Sequence, residues 1–250
     1  MTETRGTNCG GGAGEQVGGH AAVARTFDSW AEQGRDASME RGHGDVVQQV
    51  VSKLGIKPGE QILDLGCGNG WATRLLAKSA PGAGAIGVDA SPKMIERAEA
   101  LHSFTIRARY EVGHFEKLPF TEKKFDRAFS MEALYYAVDL DAALAELFRV
   151  LKPGAPTDIV VDFHAENEAS KVWADWGQRS GLEMHFLGRD DWAKRLERAG
   201  FRDLAFERVV DSRGPGDPKH FRADACEPDW ETRLKIHQAG SLWMHATKPR

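Results

Sequence analysis

Short apolar runs alternate along the chain with segments in which apolar residues recur every three or four positions. The short runs predict buried strands, and the three-to-four spacing predicts helices. Strands are predicted at residues 61–65, 85–88, 106–112, 125–129, 158–163, 204–210 and 242–246. Helices are predicted at residues 71–80, 92–100, 140–151 and 190–199. This alternation indicates an α/β fold in which helices cover both faces of a mostly parallel sheet.

The N-terminal part of the chain departs from the alternation. Residues 1–19 hold clustered glycines and almost nothing apolar, so ordering them would cost backbone entropy that burial could not offset. We predict a flexible glycine-rich tail there. The pattern of apolar residues in 20–57 predicts a helical cover with two helices. The first spans residues 21–30, and the second, after a polar stretch, runs from Val46 to Leu54 and is ended by Gly55 and Pro58.

Two stretches near 165–187 and 211–235 are too long for ordinary turns. Segments of this length in a compact domain are typical of functional loops or disordered ones. We predict that both inserts cover a substrate. The length of 250 residues suits one large domain, so residues 20–250 are interpreted as a single domain.

Composition and charge narrow the possible functions. The net charge of -4, without a run of Lys or Arg, argues against nucleic acid and favours a small-molecule substrate. Cys9, Cys67 and Cys226 lie far apart, which predicts neither a disulfide framework nor a zinc site and indicates a cytoplasmic protein. No apolar stretch reaches the roughly 20 residues that span a membrane. Nothing in the sequence predicts an oligomeric state.

A glycine-rich turn follows the first predicted strand, at the end of the sheet where ligands bind in open α/β folds. Gly66, Gly68 and Gly70 lack Cβ atoms, so the chain can turn sharply and a ligand can approach backbone N–H groups near a helix start. These glycines alone also fit a tight turn that binds nothing. Asp64 precedes the turn, and Asp89 follows it by about 20 positions, the spacing expected of an acid that binds a ribose.

Five segments in order resemble the signatures of class I S-adenosylmethionine-dependent methyltransferases. They read ILDLGCGNGWAT at 62–73, GVDASPKM at 87–94, GHFEKLPF at 113–120, FDRAFS at 125–130 and LKPG at 151–154. Within this family, the segments are most similar to those of the small-molecule branch that includes the ubiquinone and menaquinone biosynthesis enzymes. It implies a Rossmann-like three-layer sandwich with a mostly parallel seven-stranded sheet. It also implies S-adenosylmethionine as methyl donor and S-adenosylhomocysteine as product.

The resemblance implies which residues hold the cofactor. Asp89 would bind both ribose hydroxyls, although an acid so close to Ser91 could instead cap the next helix. Asp64 would contact the cofactor's ammonium group or brace the glycine turn. His114 replaces the acid that many relatives carry in the adenine segment, and a surface histidine fits it equally. The expected cofactor residues are Asp64, Gly66, Cys67, Gly68, Gly70, Asp89, Ala90, Met94, His114, Phe115 and Ser130.

Residues after the later strands and in the helical cover are candidates for the acceptor site. Methyl transfer needs mainly alignment and exclusion of water, so a general base is optional. His164, just beyond the fifth strand, is the first candidate base, His43 on the cover is the second, and Tyr135 is a further catalytic candidate. The aromatic candidates could equally belong to the core. The expected acceptor-binding residues are Tyr135, Tyr136, Phe27, Trp30, His43 and Trp173.

Neither paired carboxylates nor a metal-ligand cluster stands out from the sequence, so no metal is expected. We therefore predict an enzyme that transfers a methyl group from S-adenosylmethionine to an oxygen, nitrogen or carbon of a small organic molecule. The alternative is a module that binds the cofactor without catalysis, as a sensor or partner subunit. A substrate pocket open to the sulfonium would favour the enzyme, and a blocked pocket would favour the module.

Overall fold

The computed structural model describes residues 19–224 and 226–250, and seven strands in them form one sheet. The strands are β1 (Gln61–Leu65), β2 (Gly84–Asp89), β3 (Ala108–Val112), β4 (Arg127–Met131), β5 (Pro156–Val161), β6 (Arg202–Val209) and β7 (Ser241–Thr247). Their order is β3-β2-β1-β4-β5-β7-β6. β1 to β5 pair in parallel, and β7 runs antiparallel to both β5 and β6. The predicted mostly parallel, seven-stranded sheet is confirmed.

Eight α-helices in the described residues surround this sheet. They are α1 (His20–Glu32), α2 (Asp36–Lys53), α3 (Trp71–Lys78), α4 (Pro92–Ala100), α5 (Leu140–Val150), α6 (Val172–Arg179), α7 (Arg189–Ala199) and α8 (Trp230–Ala239). Apolar residues of α2, α3 and α4 form one buried cluster against the sheet, and those of α5 and α7 form another. The three-layer, Rossmann-like sandwich is thereby confirmed.

Alternation along β1 explains the two layers. Leu63 and Leu65 belong to the cluster with α5 and α7, whereas Ile62 belongs to the cluster with α2, α3 and α4. Successive side chains of a strand point to opposite faces, so a strand that is buried on both sides carries an unbroken apolar run. All three residues are at most 1% exposed.

The strand order reverses between β1 and β4. The chain builds β1, β2 and β3 outward in one direction and then returns to place β4 on the other side of β1. At such a reversal the connections after the two strands diverge and leave a crevice beyond their carboxyl ends. The glycine-rich turn after β1 and the residues after β4 therefore face the same space.

The helical cover is longer than predicted. α2 begins at Asp36, because the polar stretch that the sequence analysis placed before the second helix is itself helical and contains Gly42 and Gly44. A glycine inside a helix costs about 1 kcal/mol. The buried apolar face of α2, with Val47 and Val50 fully enclosed, offsets that cost. The extension puts His43 on a helix that packs against the sheet.

The two inserts are also more regular than predicted. The first contains a short 3-10 helix and α6, and the second contains another 3-10 helix and α8. The predicted boundaries of β4 and β5 are each off by two residues. The predicted tail falls outside the described residues except for Gly19, which caps α1. No helix of the described part of the chain has the length and apolarity that crossing a membrane requires.

Candidate functional site

Three glycines shape the turn between β1 and α3, each with a positive φ: 74° at Gly66, 52° at Gly68 and 77° at Gly70. A Cβ on Gly66 would lie 2.1 Å from the Ala133 Cβ, and one on Gly70 would lie 2.4 Å from a ring carbon of Tyr110. Both positions therefore require glycine for packing as well as for backbone conformation. A Cβ on Gly68 would meet no atom within 4 Å, so this glycine leaves open space beside the turn.

Asp89 ends β2 and holds the glycine turn from the side. One carboxylate oxygen accepts a hydrogen bond of 2.9 Å from the Gly68 N–H, and the other accepts one of 2.9 Å from the Ser91 N–H. Ser91, not Asp89, caps α4, since its hydroxyl accepts from the Met94 N–H. Burial raises the pKa of Asp89 to about 6. Backbone N–H donors limit that rise because they favour the ionised form.

Asp64 lies on β1 and is almost fully buried. Its carboxylate accepts a hydrogen bond of 2.6 Å from the Thr73 hydroxyl on α3. Burial, with a contribution from the charge of Asp89, raises the pKa of Asp64 to about 7. The two carboxylates border the same cavity, so a positively charged ligand there would favour their ionised forms.

This first cavity occupies about 810 Å³ including its mouth and lies beyond the carboxyl ends of β1, β2 and β4. Most of the residues expected to bind the cofactor line it, together with four that were expected to bind the acceptor. The expected cofactor residues in its wall are Asp64, Gly66, Cys67, Gly68, Asp89, Ala90, Met94 and Phe115, and the expected acceptor residues there are Phe27, Trp30, His43 and Tyr136.

Three expected cofactor residues lie outside this wall, which corrects the prediction. Gly70 is needed for its close approach to Tyr110. The Ser130 hydroxyl donates to the Leu65 carbonyl oxygen at 2.9 Å and so joins β4 to β1. The His114 ring lies 4.4 Å from that of His20 and does not reach the cavity. Partial burial and the charge of His20 lower the pKa of His114.

Sequence reasoning missed several residues of the wall. Asn69, inside the glycine turn, donates a buried hydrogen bond of 3.1 Å to Asp36 at the start of α2. This contact joins the helical cover to the turn, and it could not be predicted while α2 was expected to begin ten residues later. The other missed residues in the wall are Val23, Met39, Trp71, Ala72, Met131, Glu132 and Ala133.

A second cavity adjoins the first. Both are bordered by the same five residues, which are Trp30, Met39, His43, Glu132 and Tyr136. Of the expected acceptor residues, Tyr135 and Trp173 also line the second cavity, whereas Phe27 lines only the first. Both inserts contribute to its wall, with Trp176 from the first and Pro215 among those from the second.

A cluster of three titratable side chains stands at the junction of the two cavities. His43 comes from α2, Glu132 follows β4 and Asp162 follows β5. The His43 Nδ1 lies 3.5 Å from an Asp162 carboxylate oxygen, and ligand atoms of all three residues lie within 4.8 Å of one another. Glu132 accepts hydrogen bonds from the Tyr135 hydroxyl at 2.8 Å and from the Asp162 N–H. We call this group the junction cluster.

Burial and the charges of neighbouring groups determine which residues of the junction cluster are protonated. Burial, followed by the charge of Asp162, raises the pKa of Glu132 to about 8. Burial acts to raise the pKa of Asp162, but its contact with His43 prevails and holds that pKa below the ordinary value. Burial acts to lower the pKa of His43, and the contact with Asp162 reverses this and raises it. At neutral pH, Glu132 therefore holds a proton while Asp162 is ionised beside the imidazole.

The first candidate base, His164, lies outside the walls of both cavities, where the sequence did not predict it to be. Its ring is buried, with Nε2 3.1 Å from the Gly240 carbonyl oxygen and Nδ1 3.2 Å from the Glu166 carboxylate, and it lines neither cavity. β5 ends at Val161, so Asp162 is the residue that reaches the site. A stricter reading of the positions directly after β4 and β5 could have found Glu132 and Asp162.

Tyr135, the other catalytic candidate, lies in a short 3-10 helix after β4 and is 2% exposed. Its hydroxyl donates a hydrogen bond to Glu132, so Tyr135 holds the Glu132 side chain of the junction cluster in position. Paired carboxylates, which do not stand out from the sequence, are present in the structure, because the strand order brings Glu132 and Asp162 together. With His43 they form a group that could hold a metal ion.

Comparison with known proteins gives one family. Residues 62–154 match the family described as a methyltransferase domain. The chain is 30% identical to O-methyltransferase resE of Aspergillus sclerotiorum over 197 residues, which are 74% of this chain and 71% of that protein. It is 32% identical to malonyl-[acyl-carrier protein] O-methyltransferase of Halorhodospira halophila over 183 residues, 72% of this chain and 61% of that protein.

Solved structures agree with the fold. A Haloferax volcanii structure of a methyltransferase in complex with the Trm112 activator superposes with a TM-score of 0.80 at 29% identity, over 90% of this chain and 98% of that one. Phosphoethanolamine N-methyltransferase 2 of Haemonchus contortus, solved with S-adenosylmethionine, gives a TM-score of 0.63 at 21% identity. That match covers 82% of this chain and 52% of the other, and it concerns the fold alone.

Proposed function

The chain belongs to the class I S-adenosylmethionine-dependent methyltransferases, and we propose that its acceptor is a small molecule whose hydroxyl or amine gives up a proton to His43. S-adenosylmethionine is the methyl donor. One observation carries the proposal: His43, held beside Asp162, borders both cavities. The first cavity would hold the cofactor and the second the acceptor, so that the reacting atoms meet at the junction cluster.

The first cavity fits the cofactor. The space beside Gly68 admits a ligand close to the backbone, and Asp89 keeps carboxylate lone pairs for ribose hydroxyls besides those that accept backbone N–H groups. The ionised Asp64 and Asp89 would attract the positive charges of the cofactor's methionine part. Phe115 would supply an apolar face for adenine. The bound cofactor supplies a methyl group that its sulfonium already activates.

His43 would take the proton that the acceptor must lose. The acceptor oxygen or nitrogen would form a bond to the methyl carbon while the carbon–sulfur bond breaks and leaves its electron pair on sulfur, and the acceptor proton would move to His43. With Nδ1 facing Asp162, Nε2 is the ring nitrogen left to meet an acceptor. The negative charge of Asp162 would then stabilise the imidazolium that forms.

The charges at the junction favour a protic acceptor over a carboxylate. An acceptor carboxylate would need no base, and it would meet the ionised Asp162 in a partly enclosed cavity. A hydroxyl or a protonated amine would use the base that is present. The relative from Aspergillus sclerotiorum is an O-methyltransferase by name, which supports an oxygen acceptor. A second cavity that shares five wall residues with the first supports an enzyme rather than a module that only binds the cofactor.

Calorimetry with S-adenosylmethionine and S-adenosylhomocysteine tests the cofactor site, and absence of binding by both at millimolar concentration would overturn it. The acceptor site is tested by S-adenosylhomocysteine release with a panel of phenols, alcohols, amines and carboxylates. His43→Gln should lower kcat by about 10²- to 10⁴-fold on the best acceptor and leave cofactor affinity unchanged. His220→Gln, at an exposed position that lines neither cavity, is the matched control. Full activity of His43→Gln would refute the base.

A metal at the junction cluster is the competing mechanism. Glu132 holds a proton at neutral pH, which a metal ion would have to displace, so we expect EDTA to leave the activity unchanged. Loss of activity in EDTA that Mg²⁺ or Mn²⁺ restores would replace the base with a metal-bound acceptor.

A further inference from the structure

A groove rich in arginine adjoins the outer part of the second cavity. Arg25, Arg35 and Arg179 line it, and it shares Trp30 and Arg35 with that cavity. No Asp or Glu belongs to its wall among the residues that the structure describes. We call it the arginine groove. It places the guanidinium groups of Arg35 and Arg179 beside the cavity in which the acceptor would lie.

The turn between α1 and α2 fixes the position of Arg35. Gly34 adopts a φ of 69°, and the Arg35 N–H then donates to the Trp30 carbonyl oxygen at 3.0 Å. The guanidinium of Arg35 lies 4.2 Å from the ring centroid of Trp30, which is itself buried. Stacking uses the face of a guanidinium and leaves the N–H groups at its edge available to an anion.

No carboxylate in residues 19–224 and 226–250 neutralises the charges of Arg35 and Arg179. Neither forms an ion pair with a carboxylate in the described part of the chain, in contrast to Arg127, Arg195 and Arg233. The charges of Arg35 and Arg179 both act on Cys226, which lines the second cavity. Burial, followed by the charge of Asp224, raises the pKa of Cys226 to about 11, and Arg35 and Arg179 both oppose that rise.

The acidic residues near this end of the second cavity are already engaged. Asp224 accepts hydrogen bonds from the N–H groups of Cys226 and Glu227. Glu227 forms an ion pair with Arg233. Asp224 keeps its negative charge, because backbone N–H groups do not neutralise a carboxylate, but the two positive charges of Arg35 and Arg179 exceed it. The junction cluster at the inner end carries the ionised Asp162.

We propose that the acceptor carries a phosphate group and that the arginine groove binds it. Guanidinium groups match phosphate oxygens through paired N–H donors, and a preorganised guanidinium loses little freedom on binding. A phosphate at Arg35 and Arg179 would leave the other end of the acceptor to reach His43. The assignment of this ligand to the acceptor rests on the proposed function.

The test compares phenyl phosphate with phenol by calorimetry on the protein loaded with S-adenosylhomocysteine. Phenyl phosphate should bind more tightly than phenol. Arg35→Gln and Arg179→Gln should each lower the affinity for phenyl phosphate about 10-fold or more and leave the affinity for phenol unchanged. Arg35→Lys should recover only part of the loss, because lysine keeps the charge without the planar fork. Arg195→Gln, which removes an arginine paired with Asp141 outside the groove, is the control.

Each outcome decides the proposal. Equal affinity for phenyl phosphate and phenol would overturn it, and so would an equal loss in Arg195→Gln, which would indicate net charge alone. Inorganic phosphate that binds as tightly as phenyl phosphate would overturn the assignment to the acceptor and indicate a free anion instead. Binding of S-adenosylhomocysteine is measured in every variant. Failure of that binding would refute the proposed function, whereas normal cofactor binding without phosphate binding would refute only the arginine groove.

Discussion

Replacing Glu132 by Gln should stabilise the protein in a way that depends on pH. The glutamine keeps the shape of the side chain and can still bond to the Tyr135 hydroxyl and the Asp162 N–H, but it cannot ionise. Glu132 is 8% exposed, and burial raises its pKa from 4.5 to about 8. The buried carboxylate therefore opposes folding once it is ionised.

The sign and size of the effect follow from proton linkage. Between pH 4.5 and 8 the folded protein holds a proton on Glu132 that the unfolded chain has lost, so the wild type loses stability as pH rises. Each pKa unit corresponds to about 1.4 kcal/mol, which gives a loss of at most about 5 kcal/mol. The advantage of Glu132→Gln should grow across this window and become constant above pH 8.

Urea unfolding of the cofactor-free protein between pH 5 and 9 measures the difference directly. The free energies of unfolding of wild type and Glu132→Gln should diverge by more than 1 kcal/mol over that range. Glu99→Gln, at an exposed position on α4, should follow the wild type at every pH. A difference between Glu132→Gln and wild type that stays constant from pH 5 to 9 would refute the assignment of a buried proton to Glu132.

Two further predictions concern the cofactor cavity. Asp89→Asn should weaken S-adenosylhomocysteine binding about 10- to 100-fold by calorimetry. The affinity of the wild type should also fall as pH drops below about 6, where Asp89 gains its proton. The same pH dependence in the variant would show that Asp89 does not cause this fall in affinity. Gly70→Ala should lower the free energy of unfolding by about 2–4 kcal/mol, since it adds a clash between its Cβ and Tyr110 to the cost of a left-handed backbone. Gly68→Ala, at a similar φ with open space, should cost only about 1 kcal/mol but reduce cofactor affinity, and equal destabilisation by the two substitutions would contradict the packing argument.

Most of the sheet, and many of the residues that line the first cavity, could be predicted because their signals are local. A strand that is buried on both faces needs an apolar run, and the turn after β1 needs glycine where φ is positive. Asp89 follows at a spacing set by one βαβ unit. These constraints act over a few residues or one supersecondary unit, so the sequence shows them directly. The start of α2 was missed because glycines and polar residues obscured a helix that tertiary burial stabilises.

The sequence by itself determined the α/β alternation, the glycine turn and the acid after β2, each through local conformational requirements. Only the tertiary structure decided which titratable groups meet. His43, Glu132 and Asp162 lie on three separate elements and form one cluster because β4 and β5 are neighbours and α2 covers their carboxyl ends. His164, two residues beyond Asp162, packs into the interior instead. Strand order and packing set these distances, and no spacing along the chain encodes them.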